Sequence, residues 1–356
     1  MKICIVGGIF DKSPEYRAAH SISPETVLVR GLAEWGIDVT GVGHAKASEA
    51  PEADVVHMHH FGRAALSMAA RKGSFKYVFT SHDPFAMNGL SIGLRRTLTD
   101  RYVVGGADAV VALSRTERSF LCAKYGRSSE DVPVIHNGIV ADTFRPLPGI
   151  QRSSSHLLFV GQLKKFKGLD DLQCALQMVR ELHPPVNLTV VSQTAPLLSH
   201  YQALAARLGL SGAVSFAGAK SPSQLADLYN SACMLISPSH GECLSTVVLE
   251  AMACGCPVIA TDVGGIREQL RGEAGAIVPK HEPATLADCI SELLSKSRSR
   301  AEMGAAGQLI VQKYFNVPRM VEKHIALYRR LLESPERVGY RARFSGRCIQ
   351  GALRIV

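Results

Sequence analysis

The stretch SPSHGECLSTVVLEAMACGCPVIAT, residues 237–261, decides the fold. It opens on the end of one short apolar run, 234–237, and closes on another, 258–261, each of the length and composition of a buried parallel strand. Between them a polar turn leads into a helix that starts near Ser245 and Thr246 and stops at Gly255 and Pro257. The unit is therefore strand, helix, strand, and the amides of the helix start form a site for an anion. Two carboxylates bracket that start, Glu242 before it and Glu250 within it. Were the interval wholly helical they would lie ~12 Å apart along the axis. That span suits a sugar, a diphosphate and a ribose in line, with carboxylates taking hydroxyls and amides taking phosphates. The plainer reading makes Glu242 a helix cap and Glu250 a solvated helix position, and the stretch alone leaves both open.

Outward from this unit, short apolar runs alternate with helical stretches along the whole chain, the pattern of parallel sheets with helices on both faces. One series runs through 2–6, a helix near 24–36, 38–42, 54–57, 76–81, 109–114 and 132–135. Residues 146–155, rich in Pro, Gly and Ser, read as a linker. A second series follows: 156–161, a helix at 169–182, 187–192, a helix at 197–208, 214–217, a helix at 223–232, the unit above, and 276–278. Helices at 285–295, 301–313 and 318–332 close it. The 356 residues exceed what one core usually supports. The expected fold class is α/β, two Rossmann-like doubly wound domains facing across a cleft, at 1–148 and 149–316.

Composition removes several classes. With 46% hydrophobic and 20% charged residues the chain is neither disordered nor fibrous. Nine scattered cysteines without a C-x-x-C pair read as reduced and intracellular, and Cys254 with Cys256 supplies too few ligands for zinc. The start, Met1-Lys2 into 3–6 and Gly7-Gly8, is too short for a signal-peptide core, and no apolar run is long enough to span a membrane. The expected location is the cytoplasm. Of the net charge of +9, five positive charges fall on Arg337, Arg341, Arg343, Arg347 and Arg354. The body is thus only modestly basic, and its basic segments lack interleaved aromatic platforms, so nucleic acid is not expected as a partner. The 337–356 tail mixes its arginines with Tyr340, Phe344, Ile349 and Leu353, as a surface helix on the inner face of an anionic membrane does; docking on the protein's own acidic surface is the alternative.

At this point the sequence resembles the retaining family 4 glycosyltransferases, built on the two-domain GT-B fold. Glu242, Glu250 and 251–261 resemble the family's E-x7-E element and the A-M-A-x-G-x-P-V-I-A-T run behind it. Residues 160–168, VGQLKKFKG, look like its V-G-R-L-x-x-x-K-G loop, and 136–146 look like its H-N-G-V-D-x-x-x-F-x-P bridge. Thr80-Ser81-His82-Asp83 resembles a strand-end T-x-H-D, and 110–125 an S-x-x-x-x-x-x-L-x-x-x-Y-G segment. The resemblance implies a transfer of sugar, with retention, from a nucleotide-diphosphate sugar, UDP favoured over GDP, to a hydroxyl acceptor such as a lipid-linked glycan or a small molecule. It implies that Lys167 meets the donor diphosphate, Glu250 the ribose and Glu242 the sugar. Leu244, Ser245 and Thr246 would offer amides, Gly8 would let a loop approach the donor, and His82 would lie at the reaction centre from the opposite domain. It also implies that the last helices, from about 317–356, pack back on the first domain.

Two departures stand out. Gln162 occupies the family's arginine position and supplies no charge. Glu242-Cys243-Leu244-Ser245 replaces the frequent E-G-F-G. A cation and a helix N-terminus can stabilise a leaving diphosphate without a metal or other cofactor, and no Asp-x-Asp with a strand-end context appears. His82 is read as orienting rather than basic. His57-Met58-His59-His60 has a metal-like look, but successive strand positions point to opposite faces, so His59 and His60 are read as cleft residues. With Tyr16 and Arg17, from an expected loop at 10–23, they form the expected acceptor side. A sugar-nucleotide 2-epimerase of the same fold and a non-catalytic sugar-nucleotide-binding subunit are the rival readings.

Overall fold

A computed structural model describes residues 1–19, 21–49, 52–71, 75–82, 87, 93–193 and 196–334. The first part of the chain contributes β1 (Lys2–Val6), α1 (Pro14–Ala19), α2 (Pro24–Glu34), β2 (Asp38–Val42), β3 (Val55–His59), α3 (Arg63–Arg71), β4 (Lys76–Thr80), α4 (Gly93–Gly106), β5 (Ala109–Val111) and α5 (Arg115–Tyr125). Its strands form one parallel sheet of order β2-β1-β3-β4-β5.

The second part contributes β6 (His156–Val160), α6 (Leu169–Leu182), β7 (Asn187–Val191), α7 (Leu198–Arg207), β8 (Val214–Gly218), α8 (Pro222–Ser231), β9 (Met234–Ser237), α9 (Thr246–Ala253), β10 (Val258–Thr261), α10 (Ile266–Gln269), β11 (Ala276–Val278) and α11 (Pro283–Ser295). These strands form a parallel sheet of order β11-β10-β9-β6-β7-β8. The helices α12 (Ser297–Tyr314) and α13 (Val317–Glu333) follow.

Every residue of β3, β9 and β10 is buried, as strands covered by helices on both faces must be. Helix starts follow local chemistry. Ser23 caps α2 ahead of Pro24, Ser114 caps α5, and Ser221 with Gln224 forms a reciprocal capping box on α8.

Two sequence expectations fail locally. Residues 132–135 form no strand of their own, and Val134 makes one parallel bridge to Ala112. Pro133 has no N–H to extend the ladder. Residues 10–23 are not a long loop either: α1 occupies their middle, with Pro14 at its first position and the Ser13 hydroxyl accepting from the Tyr16 amide at 3.2 Å.

The connection at 146–155 is irregular but anchored. Arg152 donates to the carbonyls of Tyr229, Ala232 and Cys254, and the Leu147 amide donates to Asn230 Oδ1. At the other end α13 lies on α2, where Met320, Val321, Ile325 and Tyr328 join Ile3, Ile5, Val27 and Leu28 in one buried cluster.

Candidate functional site

In the second sheet the winding reverses between β6 and β9, since β7 and β8 extend one way and β10 and β11 the other. Loops leaving the carboxyl ends of strands at such a reversal diverge and open a crevice. Lys167 lies on the loop after β6 and Glu242 on the loop after β9, so topology alone brings both to that crevice.

The two loops also touch. Lys165–Lys167 makes one 3-10 turn that ends at Gly168 with φ +70. A Cβ on Gly168 would stand 1.9 Å from the Pro238 carbonyl oxygen, so no other residue permits this approach. The His240 amide donates to the Phe166 carbonyl at 2.7 Å across the same contact. As a result Lys167 Nζ donates to Glu242 Oε1 at 2.6 Å, and Ser239 Oγ donates to the same oxygen at 2.9 Å. From behind, the Gly265 amide holds the Cys243 carbonyl at 3.0 Å.

Glu250 faces inward on α9, 7% exposed, and accepts from the Tyr229 hydroxyl at 2.9 Å. Burial pushes its carboxyl up to about 7, against the pull of that hydrogen bond. It is therefore not a solvated helix position. Nor does Glu242 cap the helix, for Ser245 is the N-cap and makes no side-chain cap bond. Because α9 begins only at Thr246, half of the interval between the carboxylates is turn, and the spacing of a wholly helical interval does not apply.

The Ser245 amide donates to Gln269 Oε1 at 3.1 Å, and Gln269 Nε2 returns a bond to the Ser245 carbonyl at 2.7 Å. Gln269 is fully buried. Of the three amides expected to face a ligand, that of Ser245 is thus held inside the protein, and those of Leu244 and Thr246 stand at the helix start. Gln162 is exposed on the Lys167 loop, as are Lys164 and Lys165. Gly8 opens a 3-10 turn after β1, where a Cβ would stand 3.6 Å from His44 Nδ1, an ordinary contact.

The first sheet answers with histidines. His57 and His59 share one face of β3, with ring centroids 4.4 Å apart. His57 is fully buried, bound by Tyr328 OH at 2.7 Å and Thr80 Oγ1 at 2.8 Å. His59 Nδ1 lies 2.8 Å from His82 Nε2, while His59 Nε2 is buried without a partner among the described residues. His60, at φ +69, swings back so that its ring lies 4.8 Å from that of His82, and its Nε2 lies 2.8 Å from Glu25 Oε1. Burial alone would raise Glu25, but the His60 hydrogen bond and the neighbouring imidazoles hold it well below the usual carboxylate range.

The strand alternation argument for 57–60 therefore fails at His60, whose left-handed backbone turns its side chain toward the others. His59 is 3% exposed, so it backs His82 instead of lining the cleft. Half-buried His82 itself has φ +51, and burial followed by repulsion from His60 pushes its imidazole down to about 3. It is neutral at ordinary pH. Tyr16 and Arg17 are exposed on α1. Asp83, His20 and residues 335–356 lie outside the described residues, and with them the tail and its membrane expectation.

The two halves of the site are joined by Glu117, which sequence reasoning did not single out. Its carboxylate accepts from Ser81 Oγ at 2.9 Å and from the Leu113 amide at 2.6 Å, and it meets the Cys243 thiol. Ser81 precedes His82 and Cys243 follows Glu242, so this one buried carboxyl draws the β4 and β9 loop ends together. Glu25, Tyr229, Gln269 and Tyr328 were missed likewise. Each is an ordinary residue of its helix in sequence, and only its partner, distant in the chain, reveals its role.

Comparison with known proteins shows the family and the fold. Residues 141–309 match the family model described as glycosyl transferases group 1, and residues 44–143 match that described as glycosyltransferase family 4. A D-inositol 3-phosphate glycosyltransferase of Frankia alni is 34% identical, over 72% of this chain and 69% of that protein. One from Acidothermus cellulolyticus is 31% identical, over 78% and 67%. Among solved structures, sucrose-phosphate synthase of Thermosynechococcus elongatus superposes with a TM-score of 0.78 at 19% identity, covering 93% of this chain and 99% of that one. The Anabaena protein HepE in complex with UDP superposes with a TM-score of 0.73 at 19% identity, covering 93% and 100%. At that identity the superpositions speak for the fold. Among the described residues no helix is long and apolar enough to cross a membrane.

Proposed function

The chain belongs to the family 4 glycosyltransferases and uses a nucleotide-sugar donor, and from that premise we propose which residues hold the donor and how the transfer proceeds. The observation that carries the reading is the Lys167–Glu242 pair at 2.6 Å, set at the sheet reversal beside the start of α9. Residues 149–316 form the donor-binding domain. Residues 1–148, with α13, form the acceptor domain.

The donor diphosphate lies against Lys167 and the α9 amides of Leu244 and Thr246, where a positive charge and the helix N-terminus meet developing negative charge. These supply the neutralisation that a bridging metal supplies elsewhere, so the transfer proceeds without one. Glu250 accepts hydrogen bonds from the ribose, and Glu242 from hydroxyls of the transferred sugar, exchanging its Lys167 contact for the ligand as the lysine turns to phosphate. The UDP and UDP-glucose complexes of the Anabaena neighbour support a uridine diphosphate donor.

His82 acts as an orienting donor. An unpaired buried acceptor costs less than an unpaired N–H, which places the proton between His59 and His82 on His59 Nδ1. Neutral His82 then accepts at Nε2 and carries its own proton on Nδ1, free to donate to the sugar. No side chain is assigned as nucleophile: the acceptor attacks from the face the diphosphate leaves, and the leaving phosphate takes the acceptor's proton. The acceptor is a hydroxyl compound. Inositol phosphate, named for the relatives, is the first to test.

Incubation with UDP-sugars and inositol phosphates, followed by NMR of the product's anomeric carbon, tests the reading. An α-linked product from an α-linked donor, formed with no divalent cation added to the assay, is expected. An inverted product, or release of a 2-epimer without acceptor, contradicts it.

A further inference from the structure

Beside the loops of the transfer site, three further side chains converge. Asp171, in the first turn of α6, His240, on the loop after β9, and His281, on the loop after β11, place one ligand atom each within 4.8 Å of one another. His240 Nε2 lies 2.8 Å from Asp171 Oδ2, and His281 Nδ1 lies 3.9 Å from the same oxygen. The two imidazole centroids are 3.8 Å apart.

A tether between the α6 start and the β9 loop requires only the first of these contacts. His281 adds no hydrogen bond, is 59% exposed, and holds a left-handed backbone at φ +62 that a non-glycine residue adopts at some cost. What its position does provide is a second imidazole aimed at the shared carboxylate oxygen. Three ligands at about 2.0–2.2 Å from a tetrahedral ion stand roughly 3.3–3.6 Å from one another. The two measured separations, 2.8 Å and 3.9 Å, fall on either side of that range. Small side-chain rotations would complete the set.

We propose that Asp171, His240 and His281 bind a divalent transition-metal ion of the zinc class. Two imidazoles with one carboxylate favour Zn²⁺ and its neighbours over Mg²⁺ or Ca²⁺, which take oxygen donors. Water fills the remaining position from the exposed side. The ion replaces the His240–Asp171 hydrogen bond and ties together three loops, two of which carry Lys167 and Glu242. Its role is to fix those loops, and it takes no part in the transfer, so the proposal does not depend on the donor or the acceptor.

Equilibrium dialysis of the full chain against Zn²⁺ and Co²⁺ tests it, with Asp171→Asn, which preserves shape, and His281→Gly, which suits the left-handed backbone. The wild type should retain one equivalent. Each variant should bind at least about tenfold more weakly, since loss of even an outer-shell partner costs that much. The cobalt form should show d–d absorption without thiolate-to-cobalt charge transfer, which sets this site apart from the cysteines. Equal uptake by the variants, a charge-transfer band that persists in them, or uptake only at millimolar metal, meaning an adventitious ion only, would overturn the proposal.

Discussion

Glu250 illustrates how much a single buried carboxyl reveals. Its pKa rises from an ordinary 4.5 to about 7 because burial disfavours the anion, with the Tyr229 hydroxyl opposing. A raised folded-state value means that the protonated form stabilises the fold below the unfolded value and that this stability is lost as the pH climbs to about 7. Glu250→Gln removes the titration. Urea unfolding should therefore find the variant more stable than the wild type at pH 8, by up to about 3 kcal/mol relative to their difference at pH 4; a difference independent of pH would contradict the burial argument. The same group must be ionised to accept from two ribose hydroxyls, so the donor KM should rise as the pH falls from 8 to 6. His59→Phe tests the tautomer argument at the other half of the site. With the Nδ1 proton gone, kcat should fall on the order of tenfold while donor affinity stays constant, whereas parallel losses in both would point to a merely structural role.

Among the elements, the loops at the sheet reversal matter most, and Gly168 is where they touch. Gly168→Ala adds a Cβ 1.9 Å from a backbone oxygen at φ +70, while Gly209→Ala adds one at φ +70 with nothing within 4 Å. Both carry the left-handed penalty of about 1–2 kcal/mol; the excess loss in Gly168→Ala, read by thermal unfolding and by donor KM, isolates the close approach of the Lys167 and Glu242 loops. Equal losses in the two variants would mean that the contact is not needed.

At this scale the sequence was largely legible. Strands Met234–Ser237, Val258–Thr261 and Ala276–Val278 and helix Leu169–Leu182 lie where apolar periodicity puts them. Helices α3 and α4 escaped notice. α4 carries Leu94 and Leu98 outward, 76% and 60% exposed, so its apolar pattern does not mark a buried face. Among candidate site residues, Lys167, Glu242 and Glu250 were legible as candidates because each is a charged group at a motif position. The inward turn of His60 was not, because it depends on a backbone at φ +69 that no residue pattern displays.

The whole molecule is two wound sheets joined at one crevice by polar contacts and by apolar side chains such as Leu113, Cys243 and Leu244. Besides Glu117, Glu268 of α10 joins the halves, accepting from the Arg115 amide at 2.5 Å and pairing with His136 Nε2 at 3.2 Å. Burial tends to raise Glu268, but His136 and the backbone donors outweigh it and hold the carboxyl low. A lowered value gives stability that is present above the unfolded value and lost as the pH falls through the folded one. Glu268→Ala should thus cost about 1–3 kcal/mol near neutrality and speed hydrogen exchange of the amides around 113–117, with the difference from wild type shrinking in acid. No change in exchange would mean that the sheets are held apart from this contact. The charge of +9 that marks the whole chain belongs in good part to the tail beyond the described residues, so the proposed diphosphate site rests on local groups.

The most direct test of the central claim is calorimetric titration of UDP into the wild type, Lys167→Ala and Glu250→Ala. The account predicts one site in the wild type, with affinity at least about tenfold weaker in each variant. Equal affinity in all three proteins, or no heat from the wild type with any nucleoside diphosphate, would contradict it.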